Sequence, residues 1–186
     1  MTRILTLTTL FLAILALAGL GQDGTLPSAS AEIPTPRLIF LEAGHGGKDP
    51  GAVHYDAEGK PDVIEKDANL DIAKRAGKLL TESGFAVAYA RETDVLLAAW
   101  DGPNDRQNRR AEIQARLDAA NKLKADLYLS IHHNGYRDKT ASGTETYYCA
   151  DRPFAAQSQR LAELTLQSIL KELAGIGYQA VNRGAK

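Results

Sequence analysis

Residues 37–53 read RLIFLEAGHGGKDPGAV. An apolar run at 38–41 ends at a carboxylate, Glu42, and a histidine, His45, follows between glycines. A short apolar run bounded by turn residues reads as a buried strand. The glycines beyond it let the backbone bend sharply and leave room around His45. Working outward, ADLYLSIHHN at 125–134 reads as another strand, and it too ends in histidines, His132 and His133.

Between these two stretches a helical pattern starts at Glu65. Leu70, Ala73, Gly77 and Leu80 share one face, with Ile72 and Leu79 beside it, and Gly84 ends it. FAVAYAR at 85–91 reads as a strand, and 106–123 as a helix with Ile113, Leu117 and Ala120 inward. GTETYYC at 143–149 alternates like a strand, and 153–173 reads as a helix with Ala162, Leu166, Ile169 and Leu173 inward. Residues 44–64 read as a long loop, a length that is often functional. Strands alternating with helices predict an α/β fold: a mostly parallel twisted sheet flanked by helices, in a single domain.

The whole chain has 186 residues, 44% hydrophobic and 24% charged, enough for one domain with a core. A net charge of -1 and a sequence pI of about 6.4 do not suggest a nucleic-acid binder, which usually shows a basic face, so no nucleic-acid partner is expected. The single cysteine, Cys149, excludes an intrachain disulfide and reads as a buried structural residue. After Arg3, residues 4–20 carry no charge, and Ala29-Ser30-Ala31 fits a small-x-small cleavage site. The pattern predicts a signal peptide over 1–31, a linker over 32–36 stiffened by Pro34 and Pro36, and a domain over 37–186. The protein is then exported, periplasmic or secreted and cell-wall associated, without stable membrane insertion after cleavage. An uncleaved anchor is the alternative.

In a parallel sheet the ends of the strands at 37–43 and 125–134 share one edge, where ligands of such folds sit. The loop at 44–64 is long enough to return Glu65 to that edge. Two imidazoles and one carboxylate form a set suited to catalytic zinc, with a fourth position left for water. His132 and His133 point to opposite faces of an extended segment, so one of them is expected as a ligand. Glu65 alone also fits a plain helix-dipole role. RQNRR at 106–110 reads as a solvated helix start, with Arg109 or Arg110 in reach of a substrate carboxylate.

LEAGHGGKDPGAV, EKDANLDIAKRAGKLLTESGFAVAYARETD, RRAEIQARLDAANKLKADLYLSIHHNG and GTETYYC, in that order, resemble the zinc-dependent N-acetylmuramoyl-L-alanine amidases that cleave peptidoglycan. The resemblance runs from about residue 37 to the last residue. It implies that His45, Glu65 and His132 bind Zn2+, favouring His132 because the family's ligand follows Ser-Ile directly. Glu42 stands where the family usually has aspartate and would orient a ligand from outside the coordination sphere. The implied reaction is hydrolysis of the amide between the lactyl group of N-acetylmuramic acid and L-alanine of the stem peptide. Peptidoglycan is the implied partner of a monomeric enzyme. The family also has a catalytic glutamate on a strand after an NRG stretch. Here that strand and a helix, on the order of 25–40 residues by usual element lengths, would lie beyond Lys186. The domain therefore reads as C-terminally incomplete and its catalytic base as unassigned. If a carboxylate within the chain serves instead, Glu42 and Glu145 come first. Two other readings stay open: a secreted non-catalytic module that binds peptidoglycan or zinc, and another zinc amidohydrolase.

Overall fold

The computed structural model describes residues 37–103, 106–135 and 141–186. The expected signal peptide at 1–31 and linker at 32–36 lie outside the described residues. β1 (Leu38–Ala43) is the central strand, flanked in parallel by β4 (Ala86–Tyr89) and β5 (Leu127–Ile131) in the order β4-β1-β5. Being central and parallel, β1 is covered on both faces, which is why its sequence is a continuous apolar run rather than an alternation. Ile39, Phe40, Leu41 and Ala43 are all buried, and Phe40 stacks on Tyr128 of β5 at 5.7 Å between ring centroids. Leu41 has no exposed surface. Leu41→Ala is therefore expected to cost about 2–5 kcal/mol, measured as a shift in the urea midpoint.

The stretch expected as a loop before Glu65 contains a hairpin of β2 (Val53–Tyr55) and β3 (Pro61–Ile64). Three- and four-residue polar strands carry too little periodicity to be read locally. The turn between them is held by Asp56, which accepts from the backbone of Gly59 and, through its side chain, of Lys60. The hairpin feeds α1 (Glu65–Glu82), whose preceding residue, Ile64, supplies no side-chain cap. Loop carbonyls act instead: the Glu65 and Lys66 amides donate to Ala52 and Pro50. The orphan donors of the first turn are thus satisfied in a way that ties Glu65 to the loop after β1.

α1 buries Glu65, Asn69, Ala73 and Gly77, a ridge of i, i+4 neighbours. Ile72 and Leu79, expected beside the inner face, are exposed. The buried ridge is narrow, because at Gly77 even a Cβ would lie 1.8 Å from the Tyr89 hydroxyl oxygen. α2 (Arg106–Lys122) departs further. It buries Glu112, Arg116 and Ala120, while Ile113 and Leu117, expected inward, are exposed.

β6 (Thr144–Thr146) and β7 (Asn182–Ala185) form a separate parallel pair, against which α3 (Ala155–Gly175) packs. Ala162 and Leu166 are buried there as expected, whereas Ile169 is exposed. Cys149, expected to be buried, is also exposed, since it lies past the end of the short β6. No helix among the described residues is long and apolar enough to cross a membrane.

Candidate metal centre

The carboxyl ends of β1 and β5 meet at one edge, where the Gly44 amide donates to the Ile131 carbonyl. Beyond it His45 adopts a positive φ of 64°, a conformation uncommon outside glycine. Several groups hold this bend. Arg91, buried, donates to the carbonyls of Ala43, Gly44 and Lys66. The Asn69 amide nitrogen also donates to Gly44. Lys66 reaches the Gly47 carbonyl and Asp94, and Asp94 in turn accepts from the Gly47 amide.

His45, Glu65 and His132 converge, each offering one ligating atom, and these atoms all lie within 4.8 Å of one another. Glu65 Oε1 is 3.2 Å from His45 Nε2 and 3.0 Å from His132 Nδ1. Bonds of about 2.0–2.2 Å at tetrahedral angles would set donors roughly 3.3–3.6 Å apart; the spacings here, 3.0 and 3.2 Å with none above 4.8 Å, bracket that value, so the residues can close on a small ion such as zinc. The outer nitrogen of His45 fits as well, whereas that of His132 is not hydrogen-bonded to a carboxylate. His45 Nδ1 is 2.8 Å from Asp49 Oδ2, and His132 Nε2 is 3.8 Å from Glu42 Oε2. A carboxylate on the far nitrogen fixes a ligating imidazole's tautomer and raises its basicity. Glu42 lies at the site, yet its hydrogen bonds go to Arg116 and the Ser130 hydroxyl rather than to an imidazole.

Glu65 is buried. Burial pushes its carboxyl up, but hydrogen bonds from His132, His45 and the Ala52 amide outweigh it and hold the group well below the usual carboxylate range. For His45, burial disfavours the cation, and the bonds to Glu65 and Asp49 reverse this and raise its pKa.

His133 faces away from the cluster. Its Nδ1 is 2.7 Å from Asn69 Oδ1, although its backbone amide donates to Glu65 Oε1. A cavity of about 270 Å³ opens beside the cluster, lined by residues that include Arg109, Ile113, Leu117 and Tyr128. Asp49, Asn69, Arg91, Glu112 and Arg116 were absent from the sequence reading. Asp49 had a weak signal, four residues after His45 in a turn-rich stretch. The two arginines had none, because each reaches a backbone carbonyl more than 40 residues away, Ala43 for Arg91 and His45 for Arg116.

Glu145 lies elsewhere, tied to Lys186 at 2.5 Å and Arg183 at 3.2 Å. Lys186, then Tyr147 and Arg183, hold its carboxyl down at about 2. A depressed carboxylate stabilises the fold above its ordinary range and stops doing so as pH falls toward its folded value. The clasp between β6 and β7 is therefore expected to persist through pH 4 and to open only near pH 2. A carbon-detected NMR titration of the Glu145 carboxyl checks this, and an ordinary midpoint near 4.5 would contradict it.

A parallel α/β sheet carrying two histidines and a glutamate at its carboxyl edge is a set that could hold one metal ion. Comparison with known proteins narrows the class. A sequence model of the N-acetylmuramoyl-L-alanine amidase family matches residues 39–185, and the chain belongs to that family. N-acetylmuramoyl-L-alanine amidase LytC of Bacillus subtilis (strain 168) is 37% identical over 148 residues, 75% of this chain and 25% of LytC. The germination-specific N-acetylmuramoyl-L-alanine amidase of the same organism is 38% identical over 113 residues, 60% of this chain and 45% of that protein. Among solved structures, the CwlD amidase from Clostridioides difficile, determined in complex with the GerS lipoprotein, superposes with a TM-score of 0.67 at 28% identity, covering 81% of this chain and 71% of that one. The chain thus spans less than half the length of these two curated relatives.

Proposed function

We propose that this chain hydrolyses the amide between N-acetylmuramic acid and L-alanine in peptidoglycan, with zinc held by His45, Glu65 and His132. The convergence of their three ligating atoms carries the reading. Zinc there would supply Lewis-acid polarisation of the scissile carbonyl and lower the pKa of water to about 7. The chain's own residues prepare that site. Asp49 keeps a proton on His45 Nδ1, which leaves Nε2 as the ligating nitrogen. Glu65, anchored by the Ala52 and His133 amides, is fixed before any ion arrives. The adjoining cavity gives the substrate a path to the cluster, with Arg109 on its wall as a candidate partner for a stem-peptide carboxylate. Export by a signal peptide over 1–31, a linker over 32–36 and action as a monomer at the cell wall belong to the same proposal.

One observation favours a second reading, the secreted module that binds peptidoglycan without cutting it. The two carboxylates that came first as bases are both engaged, Glu42 by Arg116 and Glu145 by Lys186 and Arg183. One assay separates the readings. Zinc-loaded protein is incubated with purified sacculi, and both sedimentation with the sacculi and release of peptides with L-alanine at their N-terminus are followed. Release that His45→Ala abolishes supports the hydrolase. Binding without release supports the module. Protein that neither binds sacculi nor releases peptides, or that carries no zinc by elemental analysis, overturns the proposal.

A further inference from the structure

α2 turns toward the sheet a face that apolar spacing would keep outside. The Arg116 side chain is 4% exposed and uses its whole fork. Nη1 donates to Glu42 Oε1 at 2.5 Å, Nη2 to the His45 carbonyl at 3.0 Å, and Nε to Glu112 Oε1 at 3.1 Å. Glu112 also accepts from the amides of Leu97 and Ala98. The second oxygen of Glu42 takes the Ser130 hydroxyl and lies beside His132. One guanidinium therefore links α2, the end of β1, β5 and the loop after β4.

Folding alone does not call for this network. A buried ion pair is commonly no more stabilising than apolar side chains of the same volume, and Ile113 and Leu117 stand one step around the helix, unused by the core. What the network secures is His45. Its left-handed backbone persists only where the surroundings hold it, and its own carbonyl is the one that Arg116 grips.

Resting on the zinc reading above, we propose that Arg116 is a positioning residue of the metal centre, holding His45 in its left-handed bend through its carbonyl and fixing Glu42 at the edge of the site, so that the His45 imidazole converges on Glu65. Arginine is required because its donors lie in one rigid plane. A lysine ammonium is a single point that reaches one or two of the three acceptors.

The test is zinc affinity by competition with a chromogenic chelator, on protein shown to be folded by circular dichroism. Arg116→Lys keeps the charge and loses the fork, and affinity is expected to fall about 10–100-fold, as for outer partners of metal ligands. Leu166→Ala, a core change in α3 far from these residues, controls for lost stability and is expected to leave affinity unchanged. If Arg116→Lys does not fold, Glu112→Gln frees one side of the fork and is expected to weaken zinc binding by about 10-fold, the lower end of that range. A folded Arg116→Lys that binds zinc as tightly as the wild type overturns the inference, and so does an equal loss in Leu166→Ala. Wild-type protein that takes up no zinc overturns the metal reading and this inference with it.

Discussion

Glu65→Gln is expected to abolish stoichiometric zinc binding and to destabilise the metal-free protein as well. The two effects have separate causes. Glu65 Oε1 stands between both imidazoles, at 3.2 and 3.0 Å, and supplies the charge of the donor set. Removing a ligand should exceed the effect of removing an outer partner, so affinity should drop by more than about 100-fold. The second effect follows from the backbone. Ala52 donates to Oε2 and His133 to Oε1. A glutamine must place its NH2 group on one of those two sites, facing an amide that also donates. One buried donor then goes unpaired, at about 1–3 kcal/mol. Elemental analysis and urea denaturation in excess chelator read the two effects independently. Full zinc content in the variant would remove Glu65 from the ligand set. An unchanged midpoint would mean that the two amides find other acceptors.

Gly44→Ala should separate site from fold. A Cβ on Gly44 would lie 2.2 Å from His132 Cε1 and 2.4 Å from Nε2, well inside van der Waals contact. The obstruction is an imidazole rather than packed backbone, and His132 lies past the end of β5. The ring can swing away, so the protein folds, but in doing so it leaves Glu65. Zinc affinity is expected to fall more than about 100-fold, again beyond an outer-partner effect. Stability in chelator should fall by only about 1–3 kcal/mol, the cost of an overpacked site that can relax. Competition with a chelator measures the first and thermal unfolding the second. A large loss of stability with zinc retained would show that the ring holds its place and the backbone yields instead.

Local pattern was enough to order the elements around the site. β1 is a run of apolar residues because it is the middle strand, and α1 begins at Glu65 where the helical spacing of apolar residues begins. The three converging groups were readable for a related reason. Two sit just past strand ends and one at a helix start, so each position follows from an element boundary rather than from packing. The β2–β3 hairpin was not readable, since its strands are too short and polar for alternation to show. Cys149 was misjudged because it lies beyond the three residues of β6, and its exposure depends on where that strand stops.

The largest difference concerns α2. Apolar periodicity in 106–123 points to Ile113 and Leu117, yet the helix buries Glu112 and Arg116. Periodicity records which residues are apolar within one segment. The face that a helix presents also depends on what the neighbouring sheet requires, and near its end β1 presents Glu42, a carboxylate only 3% exposed. A buried charge is tolerated only with a partner, and that partner lies 74 residues away in the chain. The carboxylate was visible in the apolar run from the start. Its need for a cation, and the helix rotation that meets it, arise only when β1 and α2 are packed together.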